Sequence, residues 1–183
     1  MALVVTETGT DDVAQIILAG LMGTGKTEVG RRLARELGRP FVDVDRLIEA
    51  RAGQSIPEIF AARGEDEFRE LECAAVREAV TFTDAVLATG GGALVDAENR
   101  RRLLAAGVVI HLEAAPEAIL ERIGAAADRP LLAGLSREAC LEKLRELLAT
   151  RAPAYGAATH AVDTTGLDVD DVVGRVRELV GEA

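Results

Sequence analysis

Lysine is nearly missing from this sequence: Lys26 and Lys143 stand alone, and arginine supplies the rest of its 21 basic residues. A compact, flexible ammonium is thus kept at two places, and the first lies in the most informative stretch of the chain. Basic charge is also scarce overall. With 31 Asp and Glu the net charge is −10, which argues against non-specific binding to DNA, RNA or an anionic membrane, whose phosphates would repel it. Any anion that the protein does bind must meet arginine or lysine placed for it locally. Cysteine is limited to Cys73 and Cys140, with no Cys or His partner at metal-ligand spacing. That pattern offers no zinc module and asks for no disulfide, so both are expected as small core residues of a reduced compartment. No hydrophobic run reaches the length of a membrane span, and no basic residue precedes Lys26, so the positive region of a secretory leader is lacking. The expected location is the cytoplasm. Residues 1–12 read as a loosely ordered lead-in, and the chain shows neither an internal repeat nor a low-complexity tract.

What the sequence does have is Gly20-Leu-Met-Gly-Thr-Gly-Lys26-Thr27, directly behind an apolar run and directly ahead of a helix-patterned stretch. Strand, glycine-rich loop and helix N-terminus in that order form a phosphate-binding loop. The glycines let backbone N–H groups turn inward around phosphates, Lys26 can reach the β and γ oxygens, and the Thr27 hydroxyl is placed to ligate Mg²⁺. The stretch Gly23, Thr24, Gly25, Lys26, Thr27 and Glu28 is therefore the expected nucleotide cradle. Downstream, Val29, Leu33 and Leu37 share one helical face, and Gly38 and Pro40 provide the stop.

A chain of 183 residues with 49% apolar composition is long enough for one domain with a proper core. Short apolar strands are predicted at 13–19, 40–44, 84–89, 107–112 and 159–163. Helices are predicted at 27–37, 45–52, 55–62, 65–80, 97–106, 116–123, 136–149 and 169–180. Such alternation specifies a mostly parallel sheet covered by helices on both faces, a three-layer α/β/α fold of the phosphate-loop NTPase kind. Ligands then bind beyond the carboxyl ends of the strands, where residues 23–27, 43–45, 90–92 and 113–116 should meet. Two segments look like inserted flaps: 45–72, broken into short helices by Gly53 and Gly64, and 124–134, rich in small residues with one arginine at its middle, which suits a lid over phosphates.

A second group of residues lies at those strand ends. Asp43 and Asp45, two apart at the end of the second strand, are expected to face the same way. One could orient waters on Mg²⁺ while the other meets a substrate hydroxyl; acidic residues in such places also serve as helix caps. Gly90, Gly91 and Gly92 permit close backbone approach to a ligand, or simply form a tight turn. Arg69 sits in an acidic helix where it can pair at i,i+3 or i,i+4, but its guanidinium can also fork a carboxylate. Arg129 in the second flap and Arg151 near the end carry the same two readings.

Taken together, the pattern resembles the shikimate kinase family from about Ile16 to Val173. The matching marks are the loop Gly20 to Thr27, Phe41-Val-Asp-Val-Asp45, Phe68-Arg69 before Glu72, Thr89-Gly-Gly-Gly92, Arg129-Pro-Leu-Leu132 and Arg151-Ala-Pro-Ala-Tyr155. The resemblance implies a nucleoside-monophosphate-kinase-like fold with a five-stranded sheet in the order 2-3-1-4-5, a monomer, and transfer of the γ-phosphate of ATP to the 3-hydroxyl of shikimate on the way to chorismate and the aromatic amino acids. Position by position, it implies that Asp45 holds the reacting hydroxyl, that Arg69 and Arg151 clamp the shikimate carboxylate, and that Gly91, flanked by Gly90 and Gly92, makes a backbone contact. Arg129 resembles a lid arginine on the transferring phosphate, Asp43 a residue acting on Mg²⁺ through water, and Arg122 an arginine near adenine; Phe60 and Phe68 would wall the pocket. The sequence departs from relatives after Tyr155, where Gly-Ala-Ala follows, and at Asp163-Thr-Thr-Gly-Leu-Asp168, which lacks an arginine that some relatives use against adenine. Competing readings are a kinase for another polyol acid such as gluconate, a nucleotide kinase, and a non-catalytic sensor of a small acid. A GTPase reading fails for want of an Asn-Lys-x-Asp motif.

Overall fold

Residues 14–124 and 129–181 are described by the structure, a computed structural model. Five strands, β1 (Gln15–Ala19), β2 (Phe41–Asp43), β3 (Val86–Ala88), β4 (Gly107–Glu113) and β5 (His160–Asp163), form one sheet in the order β2-β3-β1-β4-β5. Every pairing is parallel, with Leu18 opposite both Ala88 and Ile110 in the central register. β1 is buried along its whole length because helices cover both of its faces, which is why it reads as an unbroken apolar run instead of alternating.

The helices are α1 (Lys26–Leu37), α2 (Val44–Ala52), α3 (Ile56–Ala79), α4 (Ala97–Ala106), α5 (Pro116–Ile123), α6 (Arg137–Tyr155) and α7 (Val169–Val180). One core lies between the sheet and the α2–α3 side and includes Ile48, Ile59, Phe68, Leu87 and Leu103. The other lies under α1 and α7 and includes Leu18, Leu33, Ile110, Val172 and Val176. A third, smaller cluster joins Leu21 of the phosphate loop to Ile119 and Leu120 of α5 and Cys140 and Leu144 of α6. It anchors the loop's flank to the two helices.

The predicted strands and helices are present with ends shifted by a few residues, and two departures matter. α3 carries both predicted helices, 55–62 and 65–80, across a kink at Gly64, whose φ of 82° is one that a side chain would resist. α6 runs to Tyr155 instead of stopping near 149, with Pro153 in its last turns, so Arg151 and Tyr155 stand on a helix, not on the loop after it. Of the expected lid, residues 125–128 lie outside the described residues. Leu132, 1% exposed, is packed into the cluster with Leu21 and Cys140, so this end of the segment is fixed to the body. Cys73 and Cys140 are both free thiols, the second buried as expected and the first only half-buried.

Candidate active site

Every expected site residue except Thr24 and Arg122 lines a single cleft of about 650 Å³ beyond the carboxyl ends of β1, β2 and β3. Its two ends are built differently.

At the phosphate end the backbone does most of the work. The chain leaves β1 through Gly20, where a Cβ would sit 2.3 Å from the Leu112 carbonyl oxygen, so only glycine fits between β1 and β4. Gly25 caps α1 in the left-handed region with φ 95°, which turns the first-turn N–H groups of α1 toward the cleft. The Leu21 carbonyl accepts from both the Thr24 hydroxyl at 2.8 Å and the Lys26 ammonium at 2.9 Å. Thr24 thus acts inside the loop, buried, while Lys26 rests on the loop's own backbone with its donors at the cleft. Burial of the Lys26 ammonium lowers its pKa to about 8, opposed by Asp45 and reinforced by Arg129. Lys26 keeps some accessible surface toward the cleft, but the protein around it replaces most of its water.

Asp43 and Asp45 come together for a reason other than strand alternation. β2 ends at Asp43, which caps α2 instead: its Oδ1 accepts from the Asp45 N–H at 3.1 Å, and its Oδ2 accepts from the Thr27 hydroxyl at 3.1 Å. Asp45 occupies the first turn of α2. Both expected roles, cap and site, therefore belong to Asp43 at once. Burial raises the Asp45 pKa to about 6; Lys26 opposes the shift, while Asp43 and Glu72 add to it.

The other end is made from side chains on separate elements. Arg69 of α3 donates to Glu72 at 2.7 Å and to Glu65 at 2.9 Å, so the pairing along its own helix is real, and the same guanidinium lines the cleft. Glu72 is 1% exposed, and its Oε1 has no hydrogen-bond partner among the described residues. Burial pushes its pKa up while Arg69 pulls it down. Gly90 is needed for space: a Cβ there would lie 2.6 Å from Glu72 Oε1 and 3.0 Å from Asp45 Oδ1. At Gly92 a Cβ would lie 2.3 Å from Arg69 Nη1. None of the three glycines has a positive φ, so close approach, not turn geometry, accounts for Gly90 and Gly92. Arg151 donates to the Gly91 carbonyl at 2.9 Å and faces the same cleft. Phe60 and Phe68 wall it, their rings 4.6 Å apart. Arg129 lines it too, and its charge acts on both Lys26 and Asp45.

Arg122 stands outside this cleft, on α5 at the other flank of the phosphate loop. It donates to the Thr164 carbonyl at 2.5 Å, to the Thr164 hydroxyl at 2.9 Å and to the Gly23 carbonyl at 3.4 Å. Sequence reading gave Thr164 no role, noting in its segment the lack of an arginine and a chance likeness to a GTPase switch motif. The pairing at i,i+3 was expected and falls on Glu72, but the burial of that carboxylate was not foreseen. Tyr155 was quoted as part of a motif and given no task; its hydroxyl donates to the Gly91 carbonyl at 2.6 Å.

The donor set fits a magnesium nucleotide. Among the described residues no three His, Cys, Asp or Glu side chains gather to hold a metal. Mg²⁺ at such a site is instead held by one hydroxyl, phosphate oxygens and waters, which is what the Thr27 hydroxyl beside the Asp43 carboxylate offers.

Comparison with known proteins agrees with this construction. A family model described as shikimate kinase matches residues 22–180. A shikimate kinase of Symbiobacterium thermophilum is 46% identical over 170 residues, covering 91% of this chain and 96% of that protein. One from Thermus thermophilus is 46% identical, covering 89% of this chain and 88% of that protein. Among solved structures, shikimate kinase from Acinetobacter baumannii in complex with shikimate superposes with a TM-score of 0.87 at 40% identity, covering 92% of this chain and 93% of that one. A gluconokinase from Sinorhizobium meliloti shares the fold alone, at TM-score 0.60 and 18% identity. With its family match, its relatives and the cleft in agreement, the chain belongs to the shikimate kinase family.

Proposed function

We propose that this cleft transfers the γ-phosphoryl group of ATP to the 3-hydroxyl of shikimate, giving shikimate 3-phosphate and ADP. The observation that carries the reading is the placement of Arg69 and Arg151 in the same cleft as Lys26 and Asp45, so that a small hydroxy acid held by its carboxylate can turn a hydroxyl toward the phosphate loop. A kinase for another polyol acid keeps the phosphate loop but has no need of Arg69, the triple glycine and Arg151 together.

Phosphoryl transfer asks the protein for in-line alignment and for positive charge around the transferring group. The first-turn N–H groups of α1 and Lys26 hold the β and γ phosphates, and Arg129, lining the same cleft, adds charge. The Thr27 hydroxyl, with Asp43 acting through water, would hold Mg²⁺, which would supply further charge neutralisation on the phosphate oxygens. Asp45 accepts a hydrogen bond from the reacting hydroxyl. As that oxygen bonds to phosphorus and the bond to the β-phosphate oxygen breaks, the hydroxyl proton passes to Asp45. A carboxylate titrating near 6 is a better proton acceptor than an ordinary aspartate and is still ionised near neutrality. Arg69 and Arg151 fix the ring by its carboxylate so that a single hydroxyl is aligned, while Phe60 and Phe68 cover its apolar side. Arg122, Thr164 and the Gly23 carbonyl form the adenine-side flank. The reading takes the protein as a cytoplasmic monomer; among the described residues no helix is long and apolar enough to cross a membrane.

The test is ADP release from Mg²⁺ and ATP with shikimate, gluconate, a nucleoside monophosphate or no acceptor. Turnover with shikimate alone is expected. Turnover with gluconate would mean that the arginine pair has been misread, and no turnover with any acceptor despite ATP binding would favour a sensor.

A further inference from the structure

The Gly91 carbonyl is held twice. Arg151 donates to it at 2.9 Å and the Tyr155 hydroxyl at 2.6 Å, both from the last turns of α6. Tyr155 is 3% exposed, and its ring stacks on His111 of β4 with centroids 4.3 Å apart and planes 26° from parallel. His111 is itself tied by Nδ1 to Glu113 at 3.1 Å. The phenol is therefore fixed from below by a strand of the sheet and aims its hydroxyl at one carbonyl of the glycine turn.

We infer that Tyr155 is a positioning residue for the acid-binding end: it sets the plane of the Gly91–Gly92 peptide through the Gly91 carbonyl, a hold it shares with Arg151. In a trans peptide the C=O of one residue and the N–H of the next point in opposite directions. Pulling the Gly91 oxygen toward α6 sends the Gly92 N–H the other way, and Gly92 lines the cleft. Without the phenol, the Gly91 carbonyl depends on Arg151 alone. The turn would then be held by a single bond, from a guanidinium that also faces the ligand. The role rests on the shikimate reading above, since it concerns the carboxylate end of the cleft.

The protein supplies its own probe, because Tyr155 is its single tyrosine and the chain has no tryptophan. Tyrosine emission in the wild type reports this turn and nothing else. Titration with shikimate is expected to change it. In Tyr155→Phe, which keeps the ring and removes only the hydroxyl, calorimetry and steady-state kinetics are expected to show shikimate affinity weakened about fivefold to tenfold, the size of one neutral hydrogen bond. KM for ATP should stay near wild type, and the melting temperature should fall by about a few degrees, the cost of one buried hydrogen bond. His111→Leu, which removes the stacked ring and keeps the phenol, should shift shikimate affinity in the same direction by less. Wild-type shikimate affinity in Tyr155→Phe, or equal losses for ATP and shikimate, would overturn the positioning role while leaving the kinase reading intact if the wild type phosphorylates shikimate. A wild-type protein that does not bind shikimate would overturn both.

Discussion

The two ends of the cleft solve the same problem, holding an anion, by different means. The phosphate end is local: eight consecutive residues make it, its geometry comes from glycines and a helix terminus, and its lysine rests on a backbone carbonyl of its own loop. The acid-binding end is tertiary, drawing Arg69 from α3, Arg151 from α6 and glycines from the turn after β3. Each of these guanidiniums already has a protein partner, Arg69 in Glu72 and Glu65, Arg151 in the Gly91 carbonyl. Partnered arginines are ordered before substrate arrives, so less side-chain freedom is lost on binding. The cost is a buried carboxylate, Glu72, whose Oε1 is left without a hydrogen bond among the described residues. On the proposed reading, the pre-aligned side chains are the part of the cleft that selects the acid.

This contrast should appear as a split between kcat and the two KM values. The largest effect is expected for Lys26→Ala, which removes charge from the transferring group: kcat should fall by at least about a hundredfold with the circular dichroism spectrum unchanged. Next, Arg151→Ala should raise KM for shikimate by about 10-fold to 100-fold and leave KM for ATP near wild type, the span expected for hydrogen bonds to a charged group. Arg151→Lys should not restore it, because an ammonium cannot reproduce the fork. A comparable rise in KM for ATP would break the division between the ends.

The pH profile separates the ends again. Asp45 is raised from 3.8 to about 6, so its carboxylate is lost as pH falls through 6. Lys26 is lowered from 10.5 to about 8, so its ammonium is lost as pH rises through 8. Plots of kcat/KM, which report the free enzyme, should fall about tenfold per pH unit on each side of that window, the acid limb in the shikimate plot and the alkaline limb in the ATP plot. The smallest effect is expected for Gly92→Ala. Its Cβ would displace Arg69 Nη1, the end of a side chain that can shift, so a rise of a few-fold in KM for shikimate, about 3-fold to 5-fold, should be measured without change in kcat.

The same contrast decides what could be read before the fold was known. The phosphate loop was legible because it is contiguous, and the sheet was legible because buried parallel strands leave short apolar runs between amphipathic helices. The acid end was legible mainly through its family resemblance. Nothing local in Arg69 or Arg151 distinguishes a clamp from a surface pair, and the structure shows Arg69 as both. Asp43 and Asp45 were brought together on a wrong ground, strand alternation, because the strand stops at Asp43, one residue sooner than predicted, and a helix begins. The extension of α6 to Tyr155 was missed because Pro153 reads as a stop; within a helix secured by packing at Cys140, Leu144 and Tyr155 it is tolerated. Thr164 carried no signal, since its role comes only from the folding of β5 beside α5.

The most direct test compares shikimate with its methyl ester as acceptor for the wild-type protein, following ADP release. The two share every hydroxyl and the ring; the ester removes the charge that Arg69 and Arg151 are placed to meet and adds one methyl group. A loss of at least about a hundredfold in kcat/KM for the ester, with KM for ATP unchanged, is the expected result. Equal turnover of acid and ester would contradict the claim that this end of the cleft selects its substrate by a carboxylate.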